Sequence, residues 1–456
     1  MDDGIMRALT KLRDLLWGPP LVVLLLGTGI YLMILLRGLP IRRLFWAVRL
    51  SMGAAKNGGE RGKTGVSAFS SLATELAATI GTGNVIGVVT AMMMGGPGAL
   101  TWMMLSALIG LATKLVESTM SVHYRIRRRD GSFRGGPMIT LSTAFPWPRA
   151  GKALAICYAI FAVACSLGMG NMVQANSIAV TLKDCMGWRT TLVGLVIAFL
   201  TLLSVLGGMK SIARISEWLV PLMGSLYVTG CLGILCLNFR NLPTALYDVF
   251  VGAFCPRAAC GGLFGFATAN WIQSLRVGVS RGIFSNEAGL GAGGISAAAS
   301  SESNAIRQGW ISTSAVFYDT LLICFLTGLA FACSGAAAQG SGNGAKMILK
   351  AFGDAYGRGG EILLAICITL FAFATILGWA AQGEAAFCHL VGDGSGKWYR
   401  FAYAIFTLVG ACCALETIWT ISDLANGLLA IPNLIALWVL GPGICKIIRK
   451  DPDGMT

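Results

Sequence analysis

Charge is scarce in this chain. Of its 456 residues only 12% are Asp, Glu, Lys or Arg, about half the share usual in a soluble protein. That excludes a disordered polyelectrolyte and argues against an ordinary soluble enzyme. Histidine is nearly absent, with His123 and His389 the only two. The 14 cysteines contain no Cys-x-x-Cys pair, so a tetrahedral zinc site lacks ligands. No nucleophile lies beside an evident base, which leaves the sequence without an enzymatic constellation. The 60 glycines follow no three-residue period, which excludes a collagen-like rod.

Apolar residues fill the space that charge leaves. They make up 55% of the chain, and the mean hydropathy is +0.71. With glycine scattered through the apolar stretches, the composition predicts an all-helical polytopic membrane protein. The net charge of +14 then reads as basic loops facing anionic membrane lipid rather than as a nucleic-acid footprint.

Apolar runs of about 20 residues fall near 16–37, 66–94, 97–121, 152–184, 190–208, 212–237, 260–300, 307–334, 361–390, 400–416 and 421–441. The first run lacks the small-residue cleavage site of a signal peptide, so it reads as a retained helix. No stretch is left for a soluble domain, and residues 1–456 read as one membrane unit. Positive charge alternates between connections. The set holding Arg37, Arg42, Arg43, Arg49, Arg125, Arg127, Arg128, Arg134 and, at the far end, Lys446, Arg449 and Lys450 is much the richer. Lys and Arg resist translocation, so that set is predicted to be cytoplasmic, placing the N-terminus outside and the C-terminus inside a plasma (inner) membrane. Cys255 and Cys260 fall in a predicted external loop, where a disulfide is an option that spacing alone does not establish.

Two spans are expected to break. The second carries Thr79-Ile-Gly-Thr-Gly-Asn84 at mid-membrane depth, where glycine costs a helix about 1 kcal/mol relative to Ala. Unwound backbone at that depth persists only where it is buried in protein or lines a cavity. Its carbonyls suit a hard monovalent cation and its amides a carboxylate; tight helix packing through small residues is the competing reading. The seventh run, from Gly261 to Gly294, is likewise too glycine-rich and too polar for one lipid-facing helix. Two interrupted segments in corresponding halves of a membrane chain mark the substrate sites of inverted-repeat transporters.

Carboxylates inside spans are a further signal, because an unpaired charge at the bilayer centre is costly. Glu75, Glu117, Glu217, Glu287, Asp319, Glu384 and Asp423 qualify. Glu75, just before the first break, is placed to reach a cation, and Glu287 is a candidate ion or gating group. Lys114 and Glu117 fit one helix face, and Arg276 and Arg281 are candidate partners for Glu287. Thr375 sits alone in an apolar helix one turn before Trp379. Gln174 and Asn176 offer uncharged hydrogen-bonding groups at similar depth.

At these residues the chain resembles the alanine or glycine:cation symporter family, of the sodium:alanine symporter type. The resemblance rests on Ala77–Gly87 with Gly95–Ala99, Gly170–Ser177, Arg281–Gly291, Phe371–Trp379 and Pro432–Ala436. It implies a leucine-transporter-like core of two inverted five-helix repeats, about 66–237 and 260–441, preceded by an extra helix at about 16–37, with discontinuous first and sixth core helices. It implies sodium as the coupling ion, no organic cofactor, and uptake of a small neutral amino acid, alanine or glycine, by alternating access. The sodium ligands it implies are the carbonyls of Ala77, Ile80 and Phe371 and the hydroxyl of Thr375. The substrate residues it implies are Thr82, Gly83, Asn84, Gly170, Gln174, Ser285, Asn286 and Trp379. Proton coupling through Glu75 or Glu287 is the alternative.

Overall fold

A computed structural model describes residues 3–56, 66–128, 131–254, 271–339, 343–413 and 416–454. Cys255, Cys260 and the first part of the 260–300 run lie outside these residues. Apart from a two-stranded antiparallel hairpin, β1 (Ile126–Arg127) and β2 (Phe133–Arg134), the named elements are helical.

Helix α1 (Asp3–Leu16) runs into α2 (Pro19–Leu35), which starts with proline in its first turn, where no backbone N–H is needed. After α3 (Leu44–Lys56), α4 (Ala68–Thr79) opens on Ser67, whose hydroxyl caps Ser70 N. Next come α5 (Ile86–Gly95), α6 (Ala99–His123) and the short α7 (Pro137–Ala144). Helices α8 (Pro148–Leu167) and α9 (Val173–Met186) are one rod joined by a π-turn at Gly168–Met172. The first half ends with α10 (Thr190–Leu206), α11 (Gly208–Leu237) and α12 (Leu242–Gly252).

The second half holds α13 (Trp271–Asn286), α14 (Ala292–Ala298), α15 (Ala305–Val316) and α16 (Phe325–Ser334). A π-segment, Phe317–Cys324, joins the last two. Helices α17 (Gly344–Tyr356), α18 (Arg358–Val391), α19 (Gly396–Cys412) and α20 (Glu416–Lys450) complete it.

Among the described residues seven helices are long and apolar enough to cross a membrane, and α4 with the bent segment from Thr82 to Gly95 makes up to eight. Other apolar runs sit on shorter elements, such as the 17-residue α10 and α19. Helix α10 shows why these still belong in lipid. Leu192, Leu195, Phe199, Leu203 and Leu206 all project outward and are 47–61% exposed, a continuous apolar face that water would not tolerate.

The interior is apolar but holds buried charge. Glu75, Lys114, Glu117, Glu287 and Asp319 are each no more than 1% exposed. The helices around them therefore bury these charged groups within an otherwise apolar interior, as expected where the solvent is lipid.

Candidate functional site

The two expected breaks face each other across the centre of the bundle. Helix α4 stops at Thr79, Ile80 and Gly81 turn extended, and Thr82–Asn84 form one 3-10 turn before α5. The axis bends by 62° there. Freed backbone groups find partners nearby, as buried polar atoms must. Gly81 N donates to Asn84 Oδ1 at 2.9 Å, and the Thr82 hydroxyl donates to Gln174 Oε1 at 3.0 Å. Gln174 is aimed by its own amide, which donates to Met169 O within the π-turn at 3.2 Å.

Thr375, on the long α18, closes this side. Its hydroxyl lies 3.1 Å from Phe371 O and 3.3 Å from Ile80 O. The back-bond to its own helix is the common behaviour of a buried Thr; the second contact, across to the unwound segment, is not. Two carbonyls and a hydroxyl thus converge, with Ala77 one turn earlier on α4 and fully buried. Such an all-oxygen set, one carbonyl of it on unwound backbone, fits a sodium ion. Gly81 is required here, because a Cβ would fall 2.6 Å from Thr375 Oγ1.

The second break begins after Asn286. Glu287 adopts φ 56°, and Gly289 and Gly291 have φ of 97° and 83°. Gly289 N donates to Glu117 Oε2 at 3.0 Å, and Asn433 Nδ2 donates to Gly289 O at 2.9 Å. Trp379 Nε1 donates to Glu287 Oε1 at 3.2 Å. The root of the Trp379 side chain packs against Gly170, where a Cβ would collide with the Trp379 Cβ and Cγ. Gly83 is different, since the nearest atom to a Cβ there is Phe284 Cδ1 at 3.9 Å.

These geometries set up a comparison. Gly170→Ala forces Trp379 to move, a typical overpacking penalty of about 1–3 kcal/mol, and is expected to reduce uptake well below that of Gly83→Ala. Side-by-side transport assays at matched expression check it, and equal activities would remove Gly170 from the pocket.

Asp319 was legible only as one more carboxylate within a span, yet it sits at the centre. Asn84 Nδ2 donates to its Oδ1 at 2.6 Å, and the Ser285 and Thr320 hydroxyls donate to its Oδ2 at 2.8 and 2.6 Å. It ties the first break to the second, and among the described residues no Lys or Arg forms an ion pair with it. Nothing in its local sequence distinguishes it, because the π-segment that turns it inward is a tertiary feature.

Other expectations change. Glu75 forms an ion pair with Lys114 at 2.7 Å, both side chains fully buried. Lys114 reaches across to α4, and its salt bridge is with Glu75, not with Glu117 on its own helix. Arg276 and Arg281 do not reach Glu287. They line an opening of about 750 Å³ with Arg13, Asp14, Trp17 and Asp423, and Arg281 lies over the Phe284 ring at 5.6 Å. Asn176 turns away from the centre and donates to Gly410 O and Cys413 O. Asn286 uses its Oδ1 to accept from Ala288 N at 3.0 Å, stabilising the turn of the second break.

A bundle with two facing helix breaks, with small residues at both, has the leucine-transporter-like fold. The crystal structure of MhsT in complex with L-phenylalanine matches with a TM-score of 0.57 at 16% identity, over 83% of this chain and 90% of that one. The sequence places it more narrowly: the profile of the sodium:alanine symporter family matches residues 2–451, and the chain belongs to that family. It is 38% identical to the sodium/alanine symporter AgcS of Methanococcus maripaludis, over 94% of this chain and 93% of that protein. It is also 34% identical to the probable sodium/glutamine symporter GlnT of Bacillus subtilis, over 96% of this chain and 88% of that one.

Proposed function

We propose that this protein is a sodium-driven symporter that imports a small neutral amino acid, alanine or glycine, by alternating access. The observation that carries the reading is the Thr375 hydroxyl, which joins the carbonyl of Phe371 to that of Ile80 at the break. Sodium bound there would hold α18 to the broken helix, and Ala77 O would complete the set. Binding of the ion to that arrangement favours the substrate-competent state, and by linkage substrate tightens sodium to the same degree.

The substrate carboxylate would lie against the amides of the unwound Thr82–Gly83 turn. Asn84 and Ser285 shape that turn, Gln174 orients it, and Asn286 shapes the facing turn of the second break. Trp379 packed on Gly170 bounds the side-chain space, which favours a methyl or a hydrogen over a larger group. The names of the two relatives support alanine and glutamine respectively as substrates of those proteins, and the closeness of Trp379 to Gly170 favours the smaller one here. The repeats would run from about 66 to 237 and from 260 to 441 with the extra helix ahead of them. The N-terminus would be outside, the C-terminus cytoplasmic, and the basic loops against anionic lipid.

Liposomes holding the purified protein are expected to accumulate labelled alanine under an inward sodium gradient, saturably, and to stop when potassium replaces sodium. Uptake that follows an imposed proton gradient while sodium is held equal on both sides would establish proton coupling through the buried carboxylates instead. Accumulation of glycine but not alanine would keep the site and change the substrate.

A further inference from the structure

A groove of about 340 Å³ opens between α3, α4, α11 and the π-segment. Met52 and Pro221 on its lining are exposed, whereas Leu76, Ile80 and Ile323 are buried, so the groove runs inward from the lipid to the first helix break. Ile80 turns its side chain to this space and its carbonyl to Thr375. Two residues of α11 account for the room. Pro221, inside the helix, has no N–H to give the turn before it. One turn later Gly224 has no side chain, and a Cβ built there would meet nothing within 4 Å.

The groove offers little to water. Its hydroxyls are already engaged: Ser225 donates to Leu222 O at 3.0 Å, Ser51 to Val48 O at 2.8 Å, and the Tyr318 hydroxyl lies 3.1 Å from that of Ser51. The remaining wall is hydrocarbon, and apolar space of this kind takes up apolar matter rather than water. Left empty, it would deprive its walls of partner atoms. The connection between α3 and α4 has nothing to fill it with, because residues 57–65 read Asn-Gly-Gly-Glu-Arg-Gly-Lys-Thr-Gly, without one apolar side chain.

A lipid tail gains little by leaving the bilayer for an equally apolar groove, so a resident lipid must be held by its head. Two arginines are placed to do this. Arg49 lies one turn before Met52 on α3, and Arg214 lies two turns before Pro221 on the same face of α11. Both are exposed, and among the described residues neither forms an ion pair. Glu217, between Arg214 and the groove, is taken up by the Ser67 and Ser70 hydroxyls at the start of α4. A guanidinium matches a phosphate with paired hydrogen bonds.

We propose that this groove binds one anionic phospholipid of the adjoining leaflet, the cytoplasmic one in the proposed orientation. An acyl chain lies between α4 and α11 with its end at Ile80, and the phosphate rests against Arg49 and Arg214. The chain thereby packs behind the turn whose carbonyl belongs to the proposed sodium set.

The test uses the purified full-length protein in phosphatidylcholine vesicles doped with phosphatidylglycerol that carries a diazirine at the end of one acyl chain. After illumination, mass spectrometry of the peptides is expected to find the label on the segment ending at Ile80 and on α11 around Gly224. Unlabelled phosphatidylglycerol should compete for the site, and diacylglycerol with the same chains should not. Arg49→Gln and Arg214→Gln should each lower the labelling about fivefold, the contribution of one basic residue near anionic lipid. Gly224→Trp fills the groove and should abolish it with the melting temperature little changed.

Label no denser in the groove than on the outer face of α10 overturns the proposal, as does labelling that both arginine variants leave unchanged. Equal competition by diacylglycerol also overturns it, since the head would then contribute nothing. Should Gly224→Trp fail to fold, the wild-type competition and the arginine variants decide. The vesicles contain neither sodium nor amino acid, so the result is independent of the transport reading.

Discussion

Lys114→Met is expected to destabilise the protein by about 3–5 kcal/mol, the usual result of leaving one partner of a buried ion pair without the other. Lys114 Nζ and Glu75 Oε1 are 2.7 Å apart and both side chains have no solvent exposure. Removing the ammonium leaves Glu75 charged in a site packed by Gly293, whose missing Cβ gives both groups their room. Glu75→Gln alone should cost a comparable amount, since it strands the lysine.

The double variant Lys114→Met with Glu75→Leu removes both charges at similar volume and should recover most of the loss. Thermal unfolding in detergent measures all three. If the two single variants unfold at the wild-type temperature, the pair is solvated in a way the burial denies. If the double variant is no better than the singles, the residues matter separately and not as a pair.

Thr375→Ala is expected to raise the sodium concentration needed for half-maximal uptake by roughly 5- to 150-fold, with expression and melting temperature little changed. That range corresponds to about 1–3 kcal/mol for losing one buried hydrogen-bonding oxygen. The hydroxyl contacts Ile80 O and Phe371 O, so its removal takes one ligand from the proposed sodium set and leaves the carbonyls in place. Thr375→Ser keeps the oxygen and should restore most of the affinity. Sodium titrations of uptake at saturating alanine read the effect directly. Unchanged sodium affinity in Thr375→Ala would move the ion elsewhere in the bundle.

The same residues show how far the linear chain could be read. The membrane class followed from hydropathy alone, because a 20-residue apolar run has little alternative to a helix in lipid. The break at Gly81 was legible for a similar reason: glycines beside Asn and Thr in an apolar run are a cost that packing or binding must repay. The count of spans was less secure, since α10 and α19 are 17 residues each and α13 is followed by a separate short helix. For such elements length and hydropathy do not distinguish a span from a buried segment.

Charge pairing was read least well. Lys114 was matched with Glu117 on its own helix and instead holds Glu75, while Arg281 was expected at Glu287 and instead covers Phe284. Spacing along one helix identifies neighbours at i+3 and i+4. It carries no information about which residue of another helix will occupy the facing surface, as Lys114 does for Glu75.

By itself, then, the sequence determined the solvent, the helical class, the points where helices must break and, through its blocks of resemblance, the family. Those properties are local, since each depends on the composition of one segment and on what lipid permits it. The tertiary structure decided which oxygens meet at Thr375, that Asp319 clamps Asn84 to Ser285, and that Glu287 rests against Trp379. Those are contacts between segments far apart in the chain, set by the mutual packing of helices, and a buried charge takes its meaning from the one neighbour that packing supplies.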